Sequence, residues 1–235
     1  MEQTNKVKSI SIWIFIIPFI AVNACLIIIT QFHNLFPNQE DIIHNTFPYF
    51  DGGASISRTA RPYPSWLIFK PAMFLTTYLL IKYWIYNKKI IEFFEKDHKY
   101  KNKILYFGIA SAIALTIHSI FLGIKFDNDL YKLFRRVIML LFIIFEIVAQ
   151  AYLIVTFYSF KEKLENYINS IFLKLKIILV ATLIIVATIS IPVISIPGND
   201  FFGINLKFLK HALEWDYFLG VISFYLLTFF MWKKH

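Results

Sequence analysis

The 235-residue sequence predicts an all-α integral membrane protein, a bundle of six transmembrane helices with both termini cytoplasmic and a long, ordered first outer loop. Three observations carry that expectation. Apolar residues make up 58% of the chain and charged residues 17%, against roughly 25% charged in an ordinary soluble domain. The 26 Phe and 13 Tyr are more than a water-surrounded core of this length can bury, whereas a bilayer accommodates them. The apolar residues also gather in six runs, each long enough to cross about 30 Å of hydrocarbon at about 1.5 Å per residue.

The runs lie near 9–31, 65–87, 104–124, 137–160, 177–196 and 209–232. The first stays hydrophobic past Cys25 and has no small-residue exit, so it reads as an uncleaved span. Cys25 is the one cysteine, which excludes an internal disulfide and a cysteine metal site, and it reads as a small buried hydrophobe. The second run opens behind Pro62 and Pro64 and carries Lys70 before Pro71, where a kink is expected. His118 lies in the third run, and Glu146 in the fourth with Gln150 one turn further on the same face. Pro192 and Pro197 should kink or end the fifth run, with Ser190 and Ser195 placed to recapture the carbonyls so freed. His211, Glu214 and Asp216 open the sixth.

Flanking basic residues orient the bundle. Fourteen, all lysines, fall on the N-terminal side: Lys6, Lys8, Lys88, Lys89, Lys96, Lys99, Lys101, Lys103, Lys161, Lys163, Lys174, Lys176, Lys233 and Lys234. Eight fall on the other: Arg58, Arg61, Lys125, Lys132, Arg135, Arg136, Lys207 and Lys210. The bias makes the N-terminal side cytoplasmic, and an even number of spans returns the C-terminus there. Every arginine is on the outer side. Arginine offers a planar, bidentate fork for phosphate or carboxylate, which lysine does not. The net charge of +9 therefore reads as topology and lipid-phosphate contact, and no basic domain exists to bind nucleic acid.

The longest segment outside the spans, 32–64, carries Asp51, Gly52, Gly53, Ser55 and Ser57 ahead of Arg58 and Arg61. Adjacent glycines followed by hydroxyl residues let backbone N–H groups approach an anion. Ionisable residues inside spans are functional candidates. Lys70 lies about 8 Å below the outer end of the second span, His118 at a comparable depth, and Glu146 near the midplane, at about 1.5 Å per residue. Depth permits Lys70, His118, His211, Glu214 and the arginines to share one cavity open to the outer leaflet. His211 and Glu214, three apart on one face, suit a base and its orienter. With two strong donors they fall short of a metal site, and no motif implies a cofactor.

The stretch Phe47-Pro48-Tyr49 to Arg61, running into Ser65-Trp66-Leu67-Ile68-Phe69, resembles the first outer loop and second span of the DRAM/Frag/Sfk-type membrane family, relatives of GPI-lipid remodelling proteins. His211-Ala212-Leu213-Glu214-Trp215 is similar to that family's entry to its last helix. The family tends to place a histidine where this chain has Arg135-Arg136, which favours binding over reaction. The resemblance implies work on lipids of the non-cytoplasmic leaflet, in a plasma (inner) membrane or an endomembrane. The leading expectation is a protein that binds or remodels an anionic phospholipid or glycolipid headgroup through Arg58, Arg61, Lys70, Arg135, Arg136 and His118. The alternatives are an acyl or headgroup transferase using His211 and Glu214, and an ion-coupled transporter using Glu146 and Gln150, or a membrane scaffold.

Overall fold

The structure, a computed structural model, describes residues 2–124, 128–195, 200–201 and 204–233. Lys125, Pro197 and Lys234, and the side chains of Lys132, Pro192 and Ser195, lie outside the described residues. In chain order the elements are α1 (Glu2–Gln31), the short α2 (Pro48–Asp51) and α3 (Ile56–Ala60), α4 (Ser65–Phe94), α5 (Lys101–Phe121), α6 (Asp129–Ser159), α7 (Lys161–Leu164), α8 (Ser170–Ser195), β1 (Asp200–Phe201), β2 (Ile204–Asn205) and α9 (Leu206–Met231). The strands form a two-residue antiparallel pair just before α9.

The six long helices cover the six apolar runs to within three residues at their C-terminal ends, and all but α4 begin ahead of them. Lysine and glutamate at the flanks are good helix formers, so the backbone ladder continues past the apolar stretch. Five of the six are long and apolar enough to cross a membrane: α1, α5, α6, α8 through Ser190, and α9. The helix on the second expected span, α4, is 30 residues long but is not among the five. Lys70, Lys82 and Asn87, with its tyrosines, dilute its apolar character.

The helices pack as a ring in which α1 touches α4 and α9, α5 touches α4 and α6, and α8 touches α6 and α9. They alternate in direction. One end of the ring, here the loop end, carries residues 32–64, and the other, the lysine end, carries the 95–100 and 160–169 connections. Trp84, Trp215, Trp232, Tyr83 and Tyr225 fill the interior. Gly108 lets α5 close on α4, since a Cβ there would stand 2.2 Å from Trp84 Cγ. The outward faces are apolar, with Trp13, Ile20 and Ile27 on α1, Leu140 and Val155 on α6, and Ile178 and Ile185 on α8 all exposed. A sheath of that kind suits lipid tails and is rare on water-soluble monomers.

At the lysine end, Lys6 and Lys89 stand 5.7 and 5.9 Å from the Tyr86 ring centre, and Lys103 stands 5.9 Å from that of Tyr100. Cations over tyrosine faces are common where a polar tip and an apolar body meet an interface. The chain ends meet there too. Lys8 Nζ donates to the Trp232 carbonyl, and Asn169 N–H to the Met231 carbonyl at 2.8 Å.

Two sequence expectations need correction. Lys176, counted with the flanking lysines, is fully buried inside the bundle. Its neighbours in sequence are apolar, and the helix turns it inward rather than towards the interface. Ser190 Oγ bonds the Val186 carbonyl at 2.6 Å, not that of Thr188, which is the carbonyl left without a donor by Pro192. The helix nevertheless continues to Ser195.

Candidate functional site

The long loop 32–64 is held to the start of α9 by three side chains of that helix. His211 Nδ1 lies 2.9 Å from the Gly52 carbonyl, and Trp215 Nε1 donates to the Ala54 carbonyl at 2.8 Å. Glu214 faces the first backbone amides of α3, at Ile56 and Ser57, whose N–H groups have no partner inside that helix. His211 and Glu214, expected to work as a base and its orienter, are therefore each engaged with the loop. Ser55 caps α3 by accepting from the Arg58 N–H at 3.1 Å. Ser57 is half-buried on the same short helix.

The glycine pair does not cradle an external anion. Gly52 takes φ +60° and ends α2, and a Cβ there would lie 1.8 Å from the Phe208 carbonyl oxygen. Its lack of a side chain serves the docking of the loop on α9. The nearby donors are already taken by the chain's own Asp51. Its carboxylate accepts from Gly53 N–H, Phe47 N–H and Thr46 Oγ1, each at 2.7 Å. Partial burial pushes the Asp51 pKa up, but these three bonds outweigh it and hold the carboxyl below its ordinary value.

Beside this docked loop a crevice of about 380 Å³ opens between the loop, the start of α4 and the turn after α5. Arg61, Lys70, Trp66, Asn38 and Asp41 line it. Lys70 Nζ donates to the Ile120 carbonyl at 3.3 Å and stands 5.5 Å from the Trp66 ring centre. Arg61 is pushed below the usual arginine value by burial first and by Arg135 next, with Asp41 opposing them. Arg135, on α6, lies against the Tyr131 ring at 5.9 Å. The Nε atoms of Arg61 and Arg135 and the Nδ1 of His118 are all buried without a hydrogen-bond partner. Among the described residues no arginine is in an ion pair. Two cations, Arg61 and Lys70, thus share the crevice with one carboxylate, Asp41, and Arg135 adds its positive field at Arg61.

Of the other expected residues, Arg58 is exposed on α3, close enough to add to the field at Arg61. Arg136 is exposed on α6, because consecutive residues on a helix point about 100° apart. His118 lies deeper, in the wall of a second cavity of about 60 Å³ enclosed by α1, α3, α4, α5, α6 and α9. Glu146 and Glu214 line the same cavity, whose remaining walls are mainly apolar.

Glu146 is fully buried. Its carboxyl accepts from Ser111 Oγ at 2.5 Å, from Gln150 Nε2 at 3.2 Å and from the Tyr225 hydroxyl. Gln150 also donates to the Val221 carbonyl at 3.2 Å, tying α6 to α9. Tyr225, Ser111, Thr228, Tyr83 and Lys176 were not singled out from the sequence. Lysine six residues into an apolar helix was the one available signal, and it reads equally well as an interfacial residue.

The fold and its apolar sheath define a helical membrane protein with several candidate spans. No family model, curated protein or solved structure matches the chain.

Proposed function

We propose that the chain is a six-span membrane protein whose loop end faces away from the cytoplasm and binds the phosphate of an anionic lipid headgroup. The observation that supports this best is the buried, unpartnered Nε of Arg61 at the crevice that also holds Lys70, with a second unpartnered Nε on Arg135, whose charge acts on Arg61. Buried donors without acceptors are costly, about 1–3 kcal/mol each and more for charged groups, unless a ligand supplies the acceptor. Two guanidinium forks and an ammonium match the oxygens of a phosphate. In this reading α4 is the sixth span, its Lys70 reaching the headgroup level and its Lys82 extending to the opposite interface. The layout agrees with the likeness to the DRAM/Frag/Sfk-type family, and the lysine-rich end is then cytoplasmic.

Native mass spectrometry of protein purified in mild detergent tests the reading. The wild-type chain retains a phospholipid, and Arg61→Ala/Arg135→Ala loses it. Retention unchanged by that double substitution, or no phospholipid retained by the wild type, refutes the site.

A further inference from the structure

The lysines at the lysine end are not equivalent. Lys6, Lys88 and Lys101 are in ion pairs with Glu2, Glu92 and Asp97. Lys8 and Lys233 donate to the carbonyls of Trp232 and Glu165. Lys99, Lys103 and Lys163 are exposed, and among the described residues none of the three is in an ion pair. Each lies over an aromatic ring instead.

Those rings form one continuous surface. Lys99 Nζ stands 4.6 Å from the Tyr100 ring centre. Lys103 Nζ stands 5.9 Å from the same centre and 5.8 Å from that of Tyr152, and Lys163 Nζ 5.7 Å from that of Phe160. The Tyr100 and Tyr152 rings lie 5.0 Å apart, and the His98 ring links Tyr100 to Phe160 at 5.6 and 5.1 Å. Three ammoniums are thus gathered from the 95–100 connection, α5 and α7 onto packed rings that also include Tyr152 of α6. Of the acidic residues in the two connections, Asp97 is held by Lys101, while Glu95, Glu162 and Glu165 pair with none of the three.

Orienting a bundle requires basic residues at one end but does not require them to be collected unpaired on one surface. Like charges brought together repel, and an anion placed among them relieves that cost. The flanks of this surface are apolar: Tyr106 and Ile113 on α5, and Val155 and Tyr158 on α6, are exposed. An occupant that meets both the ammoniums and these flanks has a charged head and hydrocarbon tails, as basic pockets between spans accept from lipids.

We propose that this surface binds a lipid headgroup carrying two phosphates, one beside Lys99 and Lys103 and the other towards Lys163, with its acyl chains along α5 and α6. The Tyr100 and Tyr152 hydroxyls are further donors for the phosphate oxygens. The site lies at the opposite end of the bundle from the Arg61 crevice, and neither depends on the other.

The test is native mass spectrometry of the full chain in mild detergent, titrated with diphosphatidylglycerol or with twice the concentration of phosphatidylglycerol, so that phosphate is matched. Wild type binds the two-phosphate lipid about tenfold more tightly or better, because its second phosphate is delivered intramolecularly once the first is held. Lys99→Gln/Lys103→Gln/Lys163→Gln weakens that binding by about a hundredfold at low salt, at about fivefold per lysine. Lys6→Gln/Lys89→Gln, which strips two lysines of the same end from the Tyr86 ring, leaves it nearly unchanged. Arg61→Ala/Arg135→Ala, which empties the crevice at the loop end, also leaves this binding in place. Equal affinity for the two lipids, or equal losses in the two lysine variants, overturns the site. Loss in the arginine variant alone puts the lipid in the crevice and overturns it as well.

Discussion

Substituting Gly52 by alanine should free the long loop 32–64 from the bundle. The added Cβ would lie 1.8 Å from the Phe208 carbonyl oxygen and 2.5 Å from its carbon. These are backbone atoms in the first turn of α9, and they cannot rotate away. The left-handed φ of +60° adds about 1–2 kcal/mol for any L-residue with a side chain. Overpacking adds about 1–3 kcal/mol, and displacing the Gly52 carbonyl from His211 about 1 kcal/mol more. Together these give about 3–6 kcal/mol against the docked loop. Cleavage of a transiently opened segment follows the open population, so trypsin should cut after the exposed Arg58 a hundredfold faster or more, at about 1.4 kcal/mol per factor of ten. Gly53→Ala is the control. Its Cβ would meet side-chain rather than backbone atoms, Thr46 Oγ1 at 2.3 Å and Thr46 Cβ at 2.9 Å, and Gly53 has no positive φ, so the strain should be smaller. The reasoning fails if Gly52→Ala is cut no faster than wild type in mild detergent, or if Gly53→Ala is cut equally fast.

Gly108→Ala should lower stability by about 1–3 kcal/mol, read as a lower melting temperature in detergent, because its Cβ would fall within 2.2–2.5 Å of the Trp84 indole; an unchanged melt rules out that contact as a constraint. The Asp51 carboxyl lies below its ordinary value in the folded chain, so its contribution is complete above that ordinary value of about 3.9 and is lost as pH falls through the lower folded one. Exchange protection of the Phe47 and Gly53 amides should therefore drop in that acid window, and Asp51→Asn should remove the step. Lys176→Met should raise the melting temperature by a few degrees, at about 2–4 °C per kcal/mol for a chain of this length, since it removes a buried amine answered by one hydroxyl and one ring face; a lower melting temperature would show that the amine holds the core together.

The long helices were legible because membrane spans announce themselves by composition, and their placement came from runs such as 9–31 and 209–232. Less legible was anything that depends on which way a side chain turns. Lys176 and Lys174 are two residues apart in the same helix, yet one is buried and the other exposed, because a helix rotates about 100° per residue. Gly52-Gly53 signalled close backbone approach correctly, but the thing approached is the turn at Phe208, which lies far off in sequence. The one-sided distribution of arginine was legible in the sequence, and what it could not reveal was that Arg136 is exposed while Arg135 has its Nε buried.

Contact between α1 and α9 has a consequence for how the chain is made. The first described helix enters the bilayer while the last is still roughly 200 residues from synthesis, at about 5–20 residues per second. During that interval the inward face of α1, with Ser11, Val22 and Cys25, has α4 on one flank and no partner on the other. The ring is complete only once α9 has arrived, and the seam between the first and last helices is the latest joint to form and the place where a stalled or truncated chain would be recognised as unfinished.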